Sequence, residues 1–325
     1  MQTLLILLLL VLAAIALLLL WGSIVTRKAA REAEEIMPPQ GKSVEVAGGT
    51  IHYVEAGDPA KQTLVMIHGL SGQLQHFTYA LVDRLAQDHH VIAVDRPGCG
   101  YSTRDSEALA TLPEQARMIG EALDKLGTRD WVLVGHSLGG AVSLALALDR
   151  PRDVAGLALL APLTHPVGAT PAAFKPLEIR APWLRKLIGH TIAVPTARRT
   201  AKATLDAVFA PEPWPEDFLT RAGGALGLRP KAFITASEDV VHATGGIGEQ
   251  APRYRHLDVP GAILFGAEDP ILLPTQQGVP MKRYWLRHEV LPGHGHMIPI
   301  TAPDACEEFI RSVAIATRMP AGLGR

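Results

Sequence analysis

The sequence predicts an α/β fold: a mostly parallel sheet flanked by helices, with a helical insertion after the sixth strand and a single apolar helix at the N-terminus. Three observations predict it. Short apolar runs at Thr63-Leu64-Val65-Met66-Ile67, His90-Val91-Ile92-Ala93-Val94, Trp131-Val132-Leu133-Val134 and Val154-to-Leu160 alternate with stretches of helical periodicity, as strands buried on both faces of a parallel sheet require. The third run leads straight into Gly135-His136-Ser137-Leu138-Gly139-Gly140 and a small-residue run to Ala147, which reads as strand, sharp turn and helix. From Pro162 to about Pro260 the strand rhythm is lost, and it resumes with Ala262-Ile263-Leu264-Phe265 and Arg287-to-Leu291.

Composition narrows the function. A chain of 325 residues, 48% of them apolar, buries a large core in one large domain or two small ones. Its net charge of -1 and the lack of a long basic run give no electrostatic footprint for nucleic acid, so neither DNA nor RNA is an expected partner. Cys99 and Cys306 lie far apart and make no metal-ligand spacing; they read as two buried thiols, with a disulfide between them left open.

In chain order, Met1 to Thr26 carries no charged side chain, and Leu4 to Leu20 is unbroken Leu, Ile, Val and Ala. That run is long enough to cross a bilayer. It lacks the basic n-region and small-residue cleavage site of a signal peptide, so a retained anchor over 1–26 is expected. Arg27, Lys28 and Arg31 follow it, which by the positive-inside rule makes this a single-pass membrane protein with its large C-terminal part in the cytoplasm. Residues 27–42 read as a linker, a short polar helix broken at Pro38-Pro39. Two alternating runs around Gly48-Gly49 predict a hairpin. Helices are expected over Gln73-to-Gln87, Leu112-to-Leu126 and Pro303-to-Met319, and within the insertion around Pro182-to-Gly189 and Glu216-to-Gly223. The sheet domain then occupies 43–162 and 261–325, with the insertion at 163–260.

A serine nucleophile needs a base to take its proton and an acid to orient that base. Ser137 sits in a Gly-x-Ser-x-Gly turn, where glycines keep Cβ atoms out of the tight approach between strand and helix. Past the strand Ala262-to-Phe265 lie Glu268 and Asp269, and past the last one His294 and His296. From the residues alone either carboxylate and either imidazole suits the chemistry.

Four motifs in one order, His68-Gly69-Leu70, Asp95-Arg96-Pro97-Gly98-x-Gly100-x-Ser102, Gly135-His136-Ser137-Leu138-Gly139-Gly140, and Gly266-x-x-Asp269 with Gly295-His296-Met297, make the chain resemble the α/β-hydrolase-fold serine hydrolases of the capped esterase and lipase type, over roughly residues 43 to 318. The resemblance implies Ser137 as nucleophile, Asp269 rather than Glu268 as the acid, and His296 rather than His294 as the base. It implies backbone N–H groups of Leu70 and Leu138 as an oxyanion hole, with His68 and His136 structural and Asp95 and Arg96 bracing the turn after their strand. His294 is expected at the solvent. Epoxide hydrolases and haloalkane dehalogenases attack with a carboxylate, which Ser137 argues against, whereas acyltransferases, C–C bond hydrolases and cofactor-free haloperoxidases retain the same triad. No metal or organic cofactor is implied. The implied substrate is a small-molecule or lipid carboxylic ester, held under a cap whose Trp183, Phe209 and Trp214 are candidate contacts. Basic residues between Lys175 and Lys202 would suit an anionic leaflet. A catalytically inactive binding protein of the same fold is the alternative from another class, and oligomeric state is left undetermined.

Overall fold

In a computed structural model, residues 1–318 of the chain are described. Eight strands form one sheet: β1 (Lys42–Val46), β2 (Gly49–Ala56), β3 (Thr63–Ile67), β4 (His90–Val94), β5 (Trp131–His136), β6 (Val154–Leu160), β7 (Gly261–Gly266) and β8 (Arg287–Leu291). Their spatial order is β1-β2-β4-β3-β5-β6-β7-β8. The hairpin β1-β2 joins β4 antiparallel, and every pairing from β4 to β8 is parallel. Side-chain alternation explains why the central strands are apolar throughout: Val65, Ile67, Leu133 and Leu159 face one core, and Leu64, Met66, Val132 and Val134 face the other.

The helices are α1 (Gln2–Ile36), α2 (Gln75–Thr78), α3 (Val82–Leu85), α4 (Leu112–Lys125), α5 (Leu138–Asp149), α6 (Pro182–Thr191), α7 (Ala193–Phe209), α8 (Pro230–Gln250), α9 (Pro274–Gln277), α10 (Ile298–Thr301) and α11 (Pro303–Thr317). Met319, the expected end of the last helix, lies outside the described residues. Both cysteines are free and buried, which closes the disulfide question.

Three local expectations are corrected. The stretch Gln73-to-Gln87 buries Phe77, Leu81 and Leu85 at helical spacing, but its backbone turns between α2 and α3. Glu216-to-Gly223 makes only turns, because Gly223 takes a left-handed conformation (φ 80°) and ends the segment beside Gly224. The insertion's longest helices are instead α7 and α8. Nor is there a break between anchor and linker: α1 runs on to Ile36, and its buried Gly22, Thr26, Ala29 and Ala33 lie at helical spacing against α6, α7 and the turn at Gly224–Leu228.

Helix α8 forms despite Gly245, Gly246 and Gly248, so packing overrides weak intrinsic propensity there. A Cβ added at Gly245 meets nothing within 4 Å. Gly245→Ala is therefore expected to stabilise the protein by about 0.5–1 kcal/mol, since the glycine loses more backbone freedom on folding. A denaturant midpoint that does not rise would contradict a helix at this position.

Candidate active site

The carboxyl ends of β3, β5, β7 and β8 deliver the predicted residues to one edge of the sheet, where parallel α/β sheets place their sites. Ser137 stands between β5 and α5 with φ 54° and ψ −121°, a strained conformation for a residue with a Cβ. Two glycines permit it. A Cβ on Gly135 would lie 2.4 Å from Ser143 Oγ, and one on Gly139 would lie 2.0 Å from the Ile67 carbonyl oxygen. The turn thus packs directly onto the end of β3.

His296 and Asp269 meet: Nδ1 of His296 donates to Asp269 Oδ2 at 2.7 Å, and both are buried. The other carboxylate oxygen of Asp269 accepts the backbone N–H groups of Ile271 and Leu272 at 2.8 and 2.9 Å. Three N–H donors thus fix the orientation of that carboxylate. Glu268 points elsewhere, accepting from the Gly293 amide at 2.8 Å. His294 is not free at the solvent as expected: its Nδ1 bonds Glu212 of the insertion at 2.7 Å, and the same carboxylate takes the Gly295 amide at 2.9 Å. Glu212 was not legible as a site neighbour, since nothing local to Pro211-Glu212-Pro213 signals a partner more than eighty residues away.

Leu70 and Leu138 line the pocket beside Ser137, and among the described residues no acceptor engages the backbone amide of either. The loop carrying Leu70 is fixed from behind. His68 Nε2 accepts the Arg96 amide at 2.9 Å, so Nδ1 is its protonated nitrogen and donates to Gly69 O at 2.8 Å. Arg96 does more than brace its own turn. It donates to the carbonyls of His68 and Gly69 at 2.9 and 3.0 Å and to Asp239 of α8 at 2.7 Å, wholly buried. Asp95 braces as expected, accepting from the Leu74 and Tyr101 amides and bonding His52, each at 2.8 Å.

A narrow pocket of about 90 Å³ opens beside Ser137. Leu163, Phe174, Val240, Ile247 and Leu272 give it an apolar wall, with Thr170 and Thr244 as its other polar contacts. The cap aromatics named from sequence lie elsewhere. Trp183 is exposed on α6; Phe209 is buried against Phe218, Met297 and Ile300; Trp214 packs beside that cluster with its indole N–H on Asp206. Val240, Ala243 and Ile247 of α8, spaced as one helical face, line the pocket in their place.

A parallel sheet carrying a strained serine turn and a buried His–Asp pair at its carboxyl edge defines a hydrolase-type α/β protein. The chain belongs to the alpha/beta hydrolase fold family, whose model matches residues 62–303. It is 26% identical over 281 residues to an uncharacterized hydrolase of Bacillus subtilis, YugF, covering 82% of this chain and 94% of that one. It is 36% identical over 119 residues to the dihydrolipoyllysine-residue acetyltransferase component of the acetoin cleaving system of Cupriavidus necator, 37% of this chain but only 31% of that protein. A crystal structure of a bacterial membrane phospholipase A superposes with a TM-score of 0.61 at 21% identity, over 98% of this chain and 99% of the other.

Around the site three imidazoles are buried and kept neutral. Burial pushes His76 down to about 4, and burial, aided by Arg96 at His68 and by His296 at His136, holds those two well below the ordinary 6.5. The unfolded chain therefore binds more protons than the native one below pH 6.5, so native stability is complete above that pH and is lost as pH falls toward about 4. Each imidazole costs about 1.4 kcal/mol per pH unit in that window. Urea midpoints measured from pH 7 to pH 4 are expected to fall accordingly, and less steeply in His76→Gln; a flat profile would refute the buried neutral histidines.

Proposed function

We propose that this protein is a serine hydrolase of lipophilic carboxylic esters, held to a membrane by α1. The observation that carries the reading is Ser137, raised on a strained turn and opening into a pocket with an apolar wall, at the edge where His296 is paired to Asp269. In the proposed reaction Ser137 Oγ attacks the ester carbonyl carbon while His296 Nε2 takes the hydroxyl proton. Asp269 accepts Nδ1–H, fixing the tautomer and stabilising the imidazolium. The Leu70 and Leu138 amides donate to the oxyanion. Collapse expels the alcohol, which takes the proton from His296; a water activated by the same imidazole then releases the acid from the acyl-enzyme. An acyl chain suits this pocket because its wall offers almost nothing to hydrogen-bond a polar substituent. The name of the membrane phospholipase A, whose structure includes a counterpart to nearly the whole chain, is consistent with a lipid ester.

Retention of α1 is supported by its packing. A Cβ on Gly22 would lie 2.2 Å from the Thr191 carbonyl oxygen, so the anchor's last turns are part of the folded domain, unlike a segment destined for cleavage. By the positive-inside rule the exposed Arg27, Lys28 and Arg31 support a cytoplasmic domain.

Ser137→Ala is expected to lower hydrolysis of p-nitrophenyl esters ~1,000-fold or more and to abolish labelling by a fluorophosphonate, and Asp269→Asn to lower kcat roughly 10⁴-fold. Undiminished turnover in the serine variant would sink the mechanism. Filling the pocket with Ile247→Trp is expected to reduce turnover of long acyl chains on the order of tenfold relative to short ones, read from a chain-length series; an unchanged preference would place the acyl group elsewhere.

A further inference from the structure

We propose that helix α6 lies in the interface of the bilayer that α1 enters, with Trp183, Leu187 and Ile192 among the headgroups and upper acyl carbons; this rests on the reading of α1 as a membrane anchor. The argument begins with level. The apolar run Leu4 to Val25 spans about 33 Å at 1.5 Å per residue, against a hydrocarbon core of about 30 Å, so its last turn sits at the membrane boundary. Gly22, within that turn, is where α1 meets the C-terminal end of α6 at Thr191. The cap is thereby fixed at the height where hydrocarbon gives way to headgroups.

Direction follows from exposure. Residues 183, 187 and 191 share one stripe of α6, and only the last is buried against α1; Trp183 is 69% and Leu187 39% exposed, so toward its N-terminus α6 stands away from α1. Ile192, next to the contact, is 49% exposed. Helix α7 departs on the other side, following α1 away from the boundary, since Arg198 pairs with Glu32 at 2.5 Å. What α6 shows to solvent is the pair Trp183 and Leu187, bordered on one side by Lys186 and His190, with no acidic residue in the helix. An apolar stripe with tryptophan, flanked by base, is the pattern of a helix lying in a membrane surface, and the charge suits anionic headgroups. The pocket wall from Leu163 to Phe174 runs into the N-terminus of this helix, so the seat of α6 governs how a lipid ester reaches Ser137.

The test uses the full chain in phosphatidylcholine–phosphatidylglycerol vesicles, with an environment-sensitive fluorophore on Leu187→Cys, on Leu10→Cys or on Arg199→Cys, Cys99 and Cys306 being buried. Lipid-attached quencher is expected to act on positions 10 and 187 and aqueous iodide on position 199. Iodide quenching at 187 with lipid quenching at 10 would overturn the placement of α6 while leaving the anchor intact. Iodide quenching at position 10 would overturn the anchor itself, and the placement with it.

Discussion

At the turn around Ser137 the start of α5 lies so close to its own strand β5 and to the carboxyl end of β3 that neither Gly135 nor Gly139 has room for a side chain. This contact sets the position of everything else at the sheet's edge. The strained φ of 54° at Ser137 persists only because strand β5 is clamped on both sides, Gly135 pairing with Ile67 of β3 and with Leu159 of β6. Because β3 is held there, the His68–Gly69 loop leaving it must pass over the serine: a Cβ on Gly69 would lie 2.9 Å from the Cβ of Ser137.

That loop would be free to move without Arg96. Its guanidinium caps two consecutive carbonyls of the loop and is itself neutralised by Asp239, which comes from the insertion. Asp239 also takes Arg104 at 2.8 Å, while Glu238 beside it pairs with Arg104 at 2.7 Å. A buried charge cluster of this kind gives little net stability relative to apolar packing, but removing one member leaves the rest unpaired, a penalty of about 3–5 kcal/mol. Its consequence is geometric: α8 cannot shift without disturbing the carbonyls of the loop that presents Leu70. The same helix supplies Val240 and Ile247 to the pocket, so the pocket's apolar wall and the loop carrying Leu70 are tied to one element. Helix α1 and the residue that ends it are tied to the same elements through the Tyr101 hydroxyl, which donates to Met37 O at 2.5 Å, and through Arg229, which bridges Glu34 and Gly100 O.

How much of this was legible in the sequence depended on range. Central strands declared themselves because each face of a parallel sheet is covered, leaving Val65-Met66-Ile67 or Val132-Leu133-Val134 no polar position. The serine turn declared itself because the steric demand is local and only glycine meets it. Choosing Asp269 over Glu268 and His296 over His294 needed the family pattern, since adjacent residues have equal chemistry; the fold separates them by aiming one carboxylate at an imidazole and the other at the Gly293 amide. The insertion resisted reading. Helix α8 hides behind three glycines and buries Thr235 and Asp239 against the sheet domain and Ser237 against Leu177 and Arg185 of the insertion, so its pattern is set by distant partners rather than by its own periodicity. Aromatic size misled as well: Phe209 is as buried as a pocket residue would be, but in a cluster of its own with Phe218.

An apolar pocket of this kind limits its own selectivity. One methylene more or less changes binding by only about 1–3 kcal/mol, and a site with few hydrogen-bonding groups cannot reject substrates for lacking them. In the proposed ester hydrolysis, strong discrimination by acyl structure alone is therefore not available to the residues around Ser137. If the anchor and α6 hold the pocket's wall against a bilayer, the composition of that bilayer decides which esters are presented, and the local concentration of lipid replaces pocket chemistry as the source of preference. In that arrangement the small-residue stripe of α1 from Gly22 to Ala33 is as much a determinant of substrate as Val240 or Ile247, because it sets the height at which the pocket meets the membrane.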